Sequence, residues 1–195
     1  MLYFTVIVRD GDCLALTADT ESTSPDLERN KVTSKNLLRK LVNHQVRSQG
    51  NYITVEASQY HYHVLIDQGV LFLTMCESNA NANVAFAYLE DVAQEFLAQY
   101  GPQVATVSRP YPFIKFDLYL QKTKKVFMGG RGDFVKPGRP PVIKKQFRDI
   151  MGYAEQGGGS KKAGGGGDDN TTMIIIGGVG VAIFILLIII FFVLM

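Results

Sequence analysis

The sequence predicts an α+β protein: a five-stranded antiparallel sheet flanked by three helices, then a linker, then a C-terminal transmembrane helix. Three observations predict it. Short β-branched and aromatic runs separated by turn residues read as strands. Three longer stretches carry apolar residues at helical spacing. The segment from Met173 to Met195 holds no charged residue.

The strands come first. Leu2 to Val8 is β-branched and aromatic, and Asp10-Gly11 supplies hairpin turn chemistry, so Cys13 to Ala18 reads as the returning strand. Thr20 to Asn30 is polar, holds Pro25, and reads as a loop or helix entry. Residues 33–47 read as a helix, with Leu37, Leu38, Leu41 and Val42 on one face and Gly50-Asn51 as its stop. Tyr52 to Ala57, Tyr60 to Ile66 and Val70 to Cys76 form a meander whose short connections require antiparallel neighbours. A second helix is predicted from Asn83 to Tyr100, ended by Gly101-Pro102. Glu90-Asp91 reads as its solvated face. A third helix is predicted from Pro112 to Phe127, with Phe113, Phe116, Leu120, Thr123 and Phe127 inside and Lys122, Lys124 and Lys125 outside. The order β-β-α-β-β-β-α-α is that of the longin, or profilin-like, fold.

Residues 1–127 therefore form the predicted folded domain. Residues 128–172 read as a basic, Pro- and Gly-rich flexible linker with a short helix at about 142–156, and residues 173–195 as a membrane anchor. As a helix the last segment reaches about 34 Å, enough to cross a hydrocarbon core of about 30 Å. Its apolar side chains include Met173, Ile174, Ile175, Ile176, Val179, Val181, Phe184, Leu186, Leu187, Phe191 and Phe192. The start of the chain lacks the pattern of a secretory signal, so the expected topology is a cytosolic N-terminus with a C-terminal tail anchor. On that topology the Asn170-Thr171-Thr172 sequon and the Arg131-Gly132-Asp133 tripeptide face the cytosol, and Cys13 and Cys76 are free thiols.

Three stretches carry a family resemblance: Tyr62 to Val70, Val84 to Val92, and Thr106 to Asp117 continuing to Gln121-Lys-Thr-Lys-Lys125. On these the chain resembles the longin-domain R-SNAREs of transport between endoplasmic reticulum and Golgi, the Sec-twenty-two type of vesicle-trafficking protein. The resemblance implies a role in that transport, on endoplasmic reticulum or Golgi membranes. It implies as partners SNARE proteins and the coat of ER-exit vesicles, reached through the longin domain.

A SNARE also needs several heptads between its longin domain and its anchor. Here Pro137, Pro140 and Pro141 exclude helix early in the linker. Phe147-Arg-Asp-Ile-Met151 resembles the opening of the family's SNARE motif, with Ile143, Phe147, Ile150, Met151 and Ala154 on one helical face. Gly157 to Gly167 then holds seven glycines, a cost to helix of about 7 kcal/mol relative to alanine. The expectation is a longin adaptor or regulator with a degenerate SNARE segment. The alternative is a functional R-SNARE whose motif is lost through splicing or gene-model error. In the family the start of the motif folds back on the longin domain, and the vesicle coat reads that closed form. The matching place reads Gly152-Tyr-Ala-Glu-Gln156, which predicts poor preservation of the contact. Phe147, Ile150 and Met151 are the candidate partner contacts.

The run Lys122 to Arg148 carries nine basic residues against Asp133 alone. Its Lys136, Arg139, Lys144, Lys145 and Arg148 are candidates for contact with anionic lipid headgroups, and a solvated, self-repelling linker is the competing reading. No phosphate loop, nucleophile elbow or paired catalytic carboxylates appear in the sequence. His61 and His63 alternate on one strand face, but no third metal ligand is placed beside them. The expectation is no enzyme, no cofactor and no nucleic-acid partner.

Overall fold

Strand alternation sorts the apolar side chains into two layers, one on each face of a central sheet. The computed structural model describes residues 1–19, 25–130 and 138–152. Its strands are β1 (Leu2–Arg9), β2 (Ala15–Ala18), β3 (Tyr52–Glu56), β4 (Tyr60–Asp67), β5 (Val70–Glu77) and β6 (Ile143–Gln146). They form one sheet in the order β2-β1-β5-β4-β3-β6. The sheet thus has six strands rather than the five expected, and the sixth pairs parallel to β3 while the other pairs are antiparallel. The helices are α1 (Pro25–Val42), α2 (Ala82–Val104), α3 (Asp117–Gly129) and α4 (Phe147–Met151).

One layer gathers Phe4, Val6 and Val8 of β1, Ile53 and Val55 of β3, Tyr62, Val64 and Ile66 of β4, and Leu71, Leu73 and Met75 of β5. These pack on Leu37, Leu38 and Leu41 of α1 and on Phe147, Ile150 and Met151 of α4. Ile7, Leu65, Phe72 and Cys76 point the other way, onto Phe86, Leu89, Val92 and Phe96 of α2 and Leu120 of α3. The two-residue strand period produces this division directly. Leu2 should share a face with Phe4, yet it joins the opposite layer, because the register between β1 and β5 shifts between these residues.

Several buried polar groups in the sheet find partners, while the Thr17 hydroxyl and His63 Nε2 have none among the described residues. The Thr5 hydroxyl lies 2.9 Å from the Tyr88 hydroxyl and donates to Thr74 Oγ1 at 3.3 Å. His63 Nδ1 lies 2.9 Å from Thr54 Oγ1, and burial, its largest cause, lowers the imidazole pKa to about 4. Lys124, read as solvated, is buried in an ion pair with Asp19 and also donates to the Tyr3 carbonyl at 3.3 Å. Cys13 and Cys76 are free.

Element ends differ from the sequence reading for identifiable reasons. The helix expected at 33–47 starts instead at Pro25, whose fixed φ suits a first helical position. It stops at Val42, and a 3-10 turn follows at Gln45–Gln49 with His44 Nδ1 accepting from the Val46 N–H. Gly101-Pro102 does not end α2, which continues to Val104. The Arg9 guanidinium, reaching over from β1, accounts for this by donating to the Val104 and Val107 carbonyls at 2.9 and 2.7 Å. The helix expected from Pro112 begins as a 3-10 turn at Ile114–Phe116 before α3 proper.

Candidate docking surface

Residues 138–152 were expected to belong to a free linker. They are folded onto the domain instead. Gly138 takes a positive φ of 80°, and the next residue, Arg139, turns its guanidinium onto α2. Its Nε donates to Glu90 Oε1 at 2.7 Å, Nη2 to Glu90 Oε2 at 3.2 Å, and Nη1 to Asn83 Oδ1 at 3.3 Å. The paired side chains are only 7% and 11% exposed. Glu90 is therefore part of a buried ion pair, not a solvated helix face, and Arg139 faces the protein rather than a bilayer. The Tyr52 hydroxyl beside them is pushed above its ordinary pKa, by burial first and by Glu90 second.

The chain then adds itself to the open edge of β3. Ile53 pairs with Ile143, Thr54 with Lys144, Val55 with Lys145 and Glu56 with Gln146. Consecutive side chains straddle this edge: Val142 packs against the layer under α2, and Ile143 against the layer under α1. Gly50 makes the approach of Ile143 feasible. A Cβ built on it would lie 3.1 Å from Ile143 Cδ1, and its φ of +154° belongs to a region kept for glycine. Gln146 Nε2 donates to Glu56 Oε2 at 2.8 Å, and Lys144 Nζ stands 3.9 Å from Glu56 Oε1.

The chain turns next into α4, which seats Phe147, Ile150 and Met151 on the α1 layer at 5%, 5% and 8% exposure. The Phe147 ring centroid is 5.9 Å from that of Tyr62. Gly152 closes the turn in the left-handed region, its N–H bonded to the Arg148 carbonyl at 2.8 Å. Within the described part of the predicted helix of 142–156, the chain is instead a strand, Ile143–Gln146, followed by a helical turn, Phe147–Met151. Residues 143–151 fold back onto the domain, while Tyr153 to Gln156, on which the expectation of a poorly preserved contact rests, lie outside the described residues.

The structure brings the three candidate partner contacts together, on the chain's own domain. Of the candidate headgroup residues, Lys144 and Arg148 are exposed and Lys145 half-exposed, while Arg139 is committed to Glu90. Lys136, Tyr153 to Gln156, the glycine run, Asn170 and the anchor residues 173–195 lie outside the described residues. Among the described residues no helix is long and apolar enough to cross a membrane, and no group of His, Cys, Asp and Glu is arranged to hold a metal ion. The Arg139–Glu90 pair was missed from sequence because the partners lie far apart in the chain and each reads locally as an exposed charge.

A family model described as the longin, regulated-SNARE-like domain matches residues 16–120, more than half of the chain. The chain belongs to the longin family. Relatives of this longin protein include the vesicle-trafficking protein SEC22b-B of Danio rerio, 43% identical over 134 residues, which are 67% of this chain and 60% of the relative. The 25.3 kDa vesicle transport protein SEC22-1 of Arabidopsis thaliana is 38% identical over 133 residues, 67% of this chain and 60% of the relative. The protein transport protein sec22 of Schizosaccharomyces pombe is 36% identical over 129 residues, 65% and 58% of the two chains. These similarities make this a longin protein of the Sec22 type. The matched part of the longin chain spans about 60% of the length of the first of these relatives.

Proposed function

We propose that this chain serves vesicle-mediated transport between the endoplasmic reticulum and the Golgi, as a tail-anchored longin adaptor or regulator with a degenerate SNARE segment. The docked segment 138–152 carries the reading. Phe147, Ile150 and Met151, the apolar residues that would open a SNARE bundle, are packed against the chain's own α1 layer. The glycine run that follows them opposes continued helix. The printed names of the relatives, vesicle-trafficking and protein-transport proteins, support the setting. The apolar run 173–195 supports membrane anchoring with the N-terminus in the cytosol.

On this reading the partners, SNARE proteins and the ER-exit vesicle coat, meet the composite surface of longin domain and docked segment. The exposure of Lys144 and Arg148 and the partial exposure of Lys145 support their contact with anionic headgroups. The test mixes the full chain in liposomes with liposomes bearing cognate Q-SNAREs. The expected result is binding without fusion and without a detergent-resistant four-helix complex. Formation of that complex, with fusion, would refute the adaptor reading in favour of a functional R-SNARE.

A further inference from the structure

Helix α3 presents a face that the fold of the domain does not use. Its inward side buries Leu120, Thr123 and Lys124, continuing from Phe116 in the turn before it. On the outward side Leu118 is 74% exposed and Val126 64%, and Ile114 in the preceding turn is 54% exposed. At 100° per residue, positions 118, 122, 125, 126 and 129 of α3 fall within an arc of about 100°, and Ile114 and Lys115 lie in the 3-10 turn that leads into it. This surface sets the apolar tips beside exposed Lys115 and Lys122. The acid of this stretch, Asp117, is buried on the other side, where it accepts from Gln121 Nε2 at 3.1 Å.

We propose that this face of α3 is a docking surface for an anionic membrane. Charge complementarity selects the occupant. The face pairs exposed apolar side chains with long cations. Lysines of this kind lay their stems along apolar surface and raise their ammonium groups to phosphates. Each lysine near an anionic leaflet multiplies partition by about fivefold. The tail-anchor reading adds proximity: residues 153–172 reach at most about 70 Å when fully extended, so the anchor keeps the face within range of a bilayer and weak contacts count. The face itself does not depend on that reading.

The test uses the full chain with Cys13→Ser and an environment-sensitive fluorophore on Gly129→Cys. Gly129 is exposed, lies on the same arc, and has nothing within 4 Å of a built Cβ. Cys76 is buried with its thiol pushed up to about 12, so it does not compete for label. A second preparation carries the label at Gln59→Cys, exposed in the turn between β3 and β4. Both go into phosphatidylcholine nanodiscs with and without phosphatidylserine, with brominated acyl chains as quencher.

The expected result is quenching at position 129 with phosphatidylserine, little without it, and none at position 59. Lys115→Glu with Lys122→Glu should weaken the contact by at least about 25-fold, the loss of two favourable lysines, and Leu118→Ser with Val126→Ser should abolish it. Absence of quenching at 129, equal quenching at 59, or quenching that survives charge reversal overturns the proposal. So does protection of the 129 label by an acidic cytosolic protein but not by lipid. Failure of the chain to stay with phosphatidylcholine discs would count against the tail anchor alone, and the same label is then read with phosphatidylserine vesicles added.

Discussion

Arg139→Ala should release the docked segment. The guanidinium is 7% exposed and makes two hydrogen bonds to a carboxylate that is 11% exposed. Removing one partner of a buried pair costs about 3–5 kcal/mol, because the remaining charge stays desolvated. That cost is about two to three and a half powers of ten in the equilibrium between docked and undocked chain. A docking free energy smaller than this would be lost outright. The assay is hydrogen exchange on the full chain, read on peptides covering residues 143–151. Protection there should fall by about 100-fold or more, while β4 and β5 in the sheet centre keep theirs. Arg139→Lys should fall between, since it keeps the charge and loses the two-pronged geometry. A double-mutant cycle with Glu90→Gln separates the pair from the rest of the segment. Unchanged protection in Arg139→Ala, or no coupling in the cycle, would refute the idea that this pair holds the segment down.

Gly50→Ala should loosen the same segment from its other side, through the 3.1 Å approach to Ile143 and the strained φ. The cost is about 1–3 kcal/mol, seen as faster tryptic cleavage after Lys144 and Lys145. His63 sets a pH dependence. Its folded pKa of about 4 lies below the ordinary 6.5, so the unfolded chain binds the proton first as pH falls. Stability should therefore be full above pH 6.5 and decline towards pH 4, by about 3 kcal/mol in all. Denaturant titrations across that range should show the decline in the parent and its loss in His63→Gln. Lys124→Ala removes a buried ion-pair partner of Asp19 and should lower global stability by about 3 kcal/mol, with urea midpoints as the measure.

Much of the fold was legible because strand and helix periods act over neighbouring residues. The five strands up to Glu77 and the inner faces of α1, α2 and α3 follow from that local pattern. What escaped was set by contacts between distant residues. Ile143–Gln146 is too short and too charged, Ile-Lys-Lys-Gln, to announce a strand. It becomes one because β3 offers an open edge. Lys124 and Glu90 look solvated in sequence, and each is buried by a partner more than 40 residues away. The length of α2 depends on Arg9 in the first strand. The candidate contacts Phe147, Ile150 and Met151 were legible as an apolar face, but not the surface that receives them.

The placement of the docked segment also constrains how it opens. β6 lies at the sheet edge, so leaving β3 uncovers a row of backbone groups as well as the α1 layer beneath Phe147. Neither loss can be taken without the other, since strand and helical turn are joined at Gln146 and Phe147 without a spacer. Arg139 fixes the entry to this unit and Gly152 caps α4. Opening is therefore expected as one cooperative step rather than fraying from α4. The same three apolar side chains cannot sit in the α1 layer and in a bundle at once. Any partner that takes Phe147, Ile150 and Met151 must first displace them, and binding is weakened by the full free energy of docking. Arg139→Ala should then strengthen such a partner by the factor it opens the segment. A partner that reads the docked surface should lose affinity by the same route, so the sign of the change in one variant distinguishes the two.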